Sequence, residues 1–170
     1  SWINLSLLRT RERLDGVTHL RREVGEEEAE EVETVPRPTD QLVSLSVFFQ
    51  DYLPNNDRFK MYLNLAFGSG LPFGLKGSNR VYRNTYRFKP YHRIDIGFSY
   101  VLWDPSKRDA YGKSLFSCTR GAWIRLEVFN LMQVANEASN TWIKTVFKRQ
   151  YAVPNYLTSR RINLRVHIDF

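Results

Sequence analysis

The last ten residues place the tightest constraint on the fold. Ile162, Leu164, Val166, Ile168 and Phe170 alternate with Arg161, Asn163, Arg165, His167 and Asp169. One set is wholly apolar and the other wholly polar. Successive side chains of a β-strand point to opposite faces, whereas a helix would scatter these residues around its circumference. The same period of two recurs upstream. Ile3, Leu5 and Leu7 oppose Asn4 and Ser6. Val43, Leu45, Val47 and Phe49 oppose Ser44, Ser46 and Gln50. Phe59, Met61, Leu63, Leu65 and Phe67 oppose Lys60, Tyr62 and Asn64. Ile94, Ile96, Phe98, Tyr100 and Leu102 oppose Arg93, Asp95, Gly97 and Ser99, and Ile124, Leu126 and Val128 oppose Arg125 and Glu127. The pattern predicts an all-β chain of about six antiparallel strands, each near the roughly 9–11 residues a tilted strand needs to cross a bilayer.

The connections between these strands differ in kind. Leu53-Pro54-Asn55-Asn56-Asp57 has the composition of a tight turn, whereas segments 12–40, 68–91 and 131–158 are long. Long loops on one side and short turns on the other mark an up-and-down transmembrane β-barrel of the outer membrane. Strand parity puts segment 104–120 on the short-turn side, where it is longer than such turns usually are. With the C-terminal end on the periplasmic side, the three long segments fall outside the cell. The acidic run Glu26–Glu33 then sits in an external loop, where a solvated loop is the ordinary explanation and divalent-cation binding to lipopolysaccharide or substrate the sharper one.

Composition narrows the class further. With 42% hydrophobic and 25% charged residues the chain is not expected to be disordered, and 170 residues suit one domain. The net charge of +7 raises the question of an acidic partner. The basic residues recur singly within alternating segments rather than in blocks, so no nucleic-acid partner is expected. A single cysteine, Cys118, allows no internal disulfide and stands in no nucleophile motif. No apolar run reaches the roughly 18 residues of a membrane helix. Ser1-Trp2-Ile3-Asn4 resembles no secretory signal. A mean hydropathy of -0.44 would ordinarily suggest a soluble protein, but barrel strands turn every second residue to a polar interior. Gly68-Ser69-Gly70-Leu71-Pro72-Phe73-Gly74 has the wrong glycine spacing for a dinucleotide loop and is expected as a strand-to-loop turn. No cofactor, metal or catalytic residue is expected.

In a barrel, Arg125, Glu127, Arg165 and His167 are expected to face the lumen. Tyr52, Tyr100, Trp103 and Trp123 suit interfacial girdles, although Trp123 and Tyr62 equally suit lumen packing. Burial in a soluble sandwich is the alternative for all of them. Phe170, with Ile168 and Val166, forms the aromatic-ended strand that barrel-assembly machinery captures by strand pairing. Single-chain bacterial barrels begin at eight strands. Six strands would leave two edges, each with about five unpaired N–H and five C=O groups, at a cost on the order of tens of kcal/mol in hydrocarbon. The chain is therefore expected to be part of a larger barrel.

Several motifs in order resemble one family. Phe48-Phe49-Gln50-Asp51-Tyr52-Leu53-Pro54, the Gly68–Gly74 segment and Tyr91-His92-Arg93-Ile94-Asp95-Ile96-Gly97 are similar to the barrel end of TonB-dependent receptors. Glu127-Val128-Phe129-Asn130-Leu131 and the run from Tyr151 to Arg161 continue the likeness, which covers roughly 36–170. The type resembled carries an N-terminal carboxypeptidase-like regulatory domain and is related to SusC-like transporters. The resemblance implies an outer-membrane barrel of 22 strands, a plug domain absent from this chain, and energised uptake of a bulky nutrient. The partners it implies are the remaining strands and plug of the receptor, the TonB complex, the barrel-assembly machinery and a surface lipoprotein lid. The family's substrate-binding residues sit largely in the plug and external loops, so few carry over and none is assigned.

Other functions remain in view. A small self-contained outer-membrane barrel could serve as an adhesin, a structural protein or an assembly substrate. For an outer-membrane enzyme, Arg165, His167 and Asp169 share one face and offer an acid–base pair, but they lie near the periplasmic end, whereas a surface active site belongs at the external rim. A soluble β-sandwich would need a second sheet to cover the apolar faces.

Overall fold

A computed structural model describes residues 1–21, 28–74, 81–104, 120–147, 149–157 and 159–170. Cys118, Glu26 and Glu27, Thr158 and all but the ends of segment 104–120 lie outside them. The described residues form β-strands and loops, with no helix among them. Fourteen strands follow in chain order: β1 (Trp2–Leu7), β2 (Arg11–Glu12), β3 (His19–Arg21), β4 (Glu30–Val32), β5 (Val35–Pro36), β6 (Val43–Leu53), β7 (Asn56–Gly68), β8 (Pro72–Phe73), β9 (Tyr86–Arg87), β10 (Tyr91–Trp103), β11 (Gly121–Phe129), β12 (Glu137–Lys144), β13 (Gln150–Tyr156) and β14 (Arg161–Asp169).

The six strands expected from the alternation form one antiparallel sheet in the order β1-β6-β7-β10-β11-β14. Each pairs with the next of the six along the chain, so the sheet is an up-and-down meander. Among the described residues it is open: β1 pairs only with β6 and β14 only with β11. The register aligns the alternation across strands. Phe49, Leu63, Ile96, Val128 and Ile162 form one apolar row, and Phe59, Tyr100, Ile124 and Val166 form another. A one-residue slip anywhere would exchange the two faces, so the shared pattern fixes the parity of each pairing.

Among the described residues, the apolar face has no protein over it. Extensive contacts between strands are confined to hydrogen-bonded neighbours, and no second sheet packs on this surface. Ile3, Leu7 and Ile162 are each more than 70% exposed, and Leu5, Leu126, Leu164 and Val166 share the exposed face. The buried residues are instead mostly polar: His19, Asp40, Asn84, Asp95, Glu127, Asn130 and Asn136, against Val35 and Ala122 among the apolar ones. Burying a large apolar side chain stabilises by roughly 1.5–3 kcal/mol. This sheet forgoes that gain at position after position unless something apolar covers it.

The two ends of the sheet differ. At the turn end, Pro54 and Asn55 alone join β6 to β7, and Asn55 takes φ 61°. Proline followed by a left-handed residue, a role asparagine tolerates, is what a type II turn requires. A bulge between Val101 and Trp103 brings Trp103 opposite Ala122. An extra residue in one strand shifts its parity. The alternation had Leu102 as the last apolar-face residue of β10, but beyond the bulge Trp103 holds that row.

At the loop end the long connections are built structures. Segment 131–158, expected as a loop, carries the β12–β13 hairpin, which pairs only with itself. Its root is fastened by Asn136, whose side-chain amide donates to the His92 carbonyl at 2.9 Å and accepts from the His92 N–H at 3.0 Å. It thereby satisfies both backbone groups of a β10 residue. Asn130, with φ 52°, closes the preceding turn by pairing its side chain with the N–H and C=O of Val134.

Candidate functional site

Two places gather polar chemistry: the polar face of the sheet and a cleft among the loops. On the polar face a seam of side chains crosses all six strands. Trp2 of β1 stacks on Phe48 of β6, and Phe48 on Tyr62 of β7, with ring centroids 6.0 and 6.2 Å apart. The Tyr62 ring passes over Gly97 of β10, and its hydroxyl donates to Glu127 Oε1 of β11 at 2.7 Å. Glu127 Oε2 accepts from the Asn163 amide of β14 at 2.9 Å. A Cβ at residue 97 would lie 2.0 Å from the tyrosine ring, so only glycine leaves room for the crossing.

The four residues expected to face a lumen share this polar face. Arg125 lies 3.8 Å from Glu127 and its guanidinium sits 5.0 Å from the Trp123 ring centroid. Arg165 stands directly opposite Arg125 in the β11–β14 register, an arrangement that is unfavourable unless other groups offset it. Glu127 and the electron-rich face of Trp123 both do so for Arg125. His167 stacks on Trp123 at 5.0 Å and contacts Asp169 at 2.7 Å, on an exposed stretch at the turn end. Near the loop end, Asp95 receives the Asn130 N–H at 2.9 Å and the Arg93 guanidinium at 2.9 Å.

Of the residues expected to serve assembly, Val166 pairs with Ile124 and Ile168 with Ala122 on the apolar face. Phe170 follows β14 and is 85% exposed. Tyr100 lies in the apolar rows, whereas Tyr52 and Trp123 belong to the polar face, and Lys60 sits 5.0 Å from the Tyr52 ring centroid. Among the described residues no group of three or more His, Cys, Asp or Glu is placed to hold a metal ion.

The loop-end cleft was not apparent from the sequence. Connections 8–42 and 69–90 interlock: the Leu20 N–H donates to the Val81 carbonyl at 2.9 Å, and the Asn84 side chain donates to the Pro36 carbonyl at 2.7 Å. At their junction Asp40, whose side chain is 2% exposed, accepts the Thr10 N–H at 2.5 Å and pairs with Arg87. Arg87 also donates to the carbonyls of Asp40 and Gly70. Burial pushes the Asp40 carboxyl up, but the Thr10 N–H and the Arg87 guanidinium outweigh it and hold the group below its ordinary value. Gly70 is required here, since a Cβ would fall 1.7 Å from the Phe88 carbonyl oxygen. Between the loops lies a cleft of about 970 Å³ lined, among the described residues, by five arginines and one carboxylate, that of Asp40. The only sequence hint was the Arg9-Thr10-Arg11 spacing. The pairing of Asp40 with Arg87, 47 positions away, has no local signature.

No family model matches the chain, and neither a curated protein nor a solved structure matches it.

Proposed function

We propose that this chain forms about six strands of the barrel wall of an outer-membrane TonB-dependent receptor, with its loop end outside the cell, and that the receptor takes up a bulky nutrient. The observation that carries the proposal is the inverted sheet. Its apolar rows are bare while its polar face holds a hydrogen-bonded seam. Such a sheet is unfavourable in water and natural in a bilayer, where lipid covers the apolar rows. Backbone groups on an open edge go unsatisfied in hydrocarbon, so β1 and β14 call for further strands beside them. The order of motifs from Phe48 to Arg161 favours the TonB-dependent family. Arg125, Glu127, Arg165 and His167 then face the lumen, where a plug domain packs, and Phe170, Ile168 and Val166 are presented to the assembly machinery.

The test is genetic and uses the intact protein. A strain lacking it is compared with its parent for growth on cobalamin, ferric siderophores, oligosaccharides and peptides as limiting nutrients, in TonB-competent and TonB-deficient backgrounds. The expected result is loss of growth on one class, matched by the TonB-deficient parent. Unimpaired growth on every class, with the protein confirmed in the parent's outer membrane, overturns the uptake function.

A further inference from the structure

Among the described residues, the cleft between connections 8–42 and 69–90 is lined by more arginines than carboxylates. Among its lining residues Arg87 is committed to Asp40, and Arg83 to Glu12, which Arg37 also approaches at 3.8 Å. Arg11 donates to the neutral Thr34 hydroxyl at 3.2 Å and is near enough to Asp40 to help hold that carboxyl down, but neither Arg9 nor Arg11 forms an ion pair among the described residues. Arg9 and Arg11 flank Thr10, whose N–H is drawn to Asp40, and both line the cleft. Asp40 is thus occupied by Thr10 and Arg87, while Arg9 and Arg11 line the cleft together with Thr34 and Thr85 and form no ion pair among the described residues.

We propose that this cleft binds a multiply charged oxyanion, a ligand bearing several carboxylate or phosphate groups, through Arg9 and Arg11. Guanidinium is the cation suited to the role, because its planar fork donates two parallel hydrogen bonds to either group. The volume of about 970 Å³ suits a small molecule, at the upper end of ordinary ligand sites. Arg87, held from behind by Asp40, fixes the cleft's base and keeps the two loops in register. The ligand class rests on the uptake proposal for its biological meaning, since the cleft would then be a first contact for the nutrient on the cell surface. Its affinity for anions does not depend on transport.

The experiment measures binding by calorimetry on the intact protein in detergent, with citrate and inositol hexakisphosphate as soluble probes. Lipopolysaccharide in phospholipid vesicles is the lipid-borne probe. At least one probe is expected to bind, more weakly as salt rises. The double variant Arg9→Gln/Arg11→Gln should weaken that binding by about tenfold or more, as expected for losing charge-assisted hydrogen bonds. Arg9→Lys/Arg11→Lys, which keeps charge without the fork, should recover part of it. Arg13→Gln, which removes an arginine paired with Glu33 outside the cleft, should leave binding unchanged. Arginine-dependent binding of the soluble anions assigns a free ligand, and arginine-dependent binding of the vesicles alone assigns a lipid headgroup. Absence of binding to all three probes, or binding indifferent to the double glutamine variant, overturns the proposal. A receptor that transports its nutrient yet fails this test overturns the anion site alone.

Discussion

Tyr62 reaches Glu127 across an intervening strand, and it does so because Gly97 of β10 has no side chain. Tyr62 and Glu127 are each the register partner of Gly97, on opposite sides of it. Their strands are therefore two spacings apart, about 9.6 Å, a gap a tyrosine spans only by lying flat on the sheet. Gly97→Ala should displace the ring and leave Glu127 with one fewer donor, lowering stability by about 1–3 kcal/mol. Tyr62→Phe should retain the aromatic stack on Phe48 and lose only the hydrogen bond. The urea unfolding midpoint of the intact protein in lipid measures both, and a Gly97→Ala midpoint equal to that of the parent would show that the ring does not lie there.

The two faces of β14 should report different surroundings. With a fluorophore attached at Leu164→Cys, brominated lipids are expected to quench strongly, and at Arg165→Cys weakly. Leu126→Arg, near the middle of β11 on the apolar face, should cost about 2–4 kcal/mol if it lies at mid-bilayer depth. Equal quenching at 164 and 165 would sink the assignment of the apolar face to lipid.

Asp40 gives the loop body a pH signature. Its carboxyl lies below the ordinary aspartate value of 3.8, so the stabilisation it supplies is complete above that value and is lost as pH falls through the lower folded one. Hydrogen exchange of residues 8–14 and 36–42, corrected for the intrinsic rate, should therefore be flat from pH 5 to 8 and rise only below about pH 4. Asp40→Asn should loosen the same segments at neutral pH by about 1–3 kcal/mol and leave the β12–β13 hairpin unaffected. Loosening between pH 5 and 8 in the parent protein would contradict this pairing.

Substituting Phe170 should affect insertion more than the finished wall. Its ring is 85% exposed beyond the last strand, so little packing depends on it. Phe170→Ala in the intact receptor should reduce the amount reaching the outer membrane, while the inserted fraction unfolds at the parent's midpoint. Normal insertion with a lowered midpoint would reverse the assignment.

The expectation of an all-β chain with six main strands follows from sequence alone, because period two is a local property. Each of the six strands carries its own copy of the pattern, and matching the copies across neighbours fixes which side chains share a face, while the exact register among even shifts is set by the turns and loops. The tight Pro54–Asn55 turn was legible for the same reason, since proline and asparagine act through their own backbone angles. Where a single residue breaks the period, the local signal fails. The bulge after Val101 shifts the parity of β10, and nothing in Val101-Leu102-Trp103 announces it. The β12–β13 hairpin was hidden because Glu137–Lys144 does not alternate apolar with polar residues and Pro154 interrupts the second strand, which a two-stranded ribbon tolerates along an unpaired edge. Tertiary structure alone decided the rest of the candidate site. Tyr62 and Glu127 are 65 positions apart and Asp40 and Arg87 are 47 apart, so each pair depends on how whole strands and loops are brought together. Arginines scattered between Arg9 and Arg87 read individually as solvated charges. They become a basic cleft only because two long loops fold against each other and Asp40 answers one of the five.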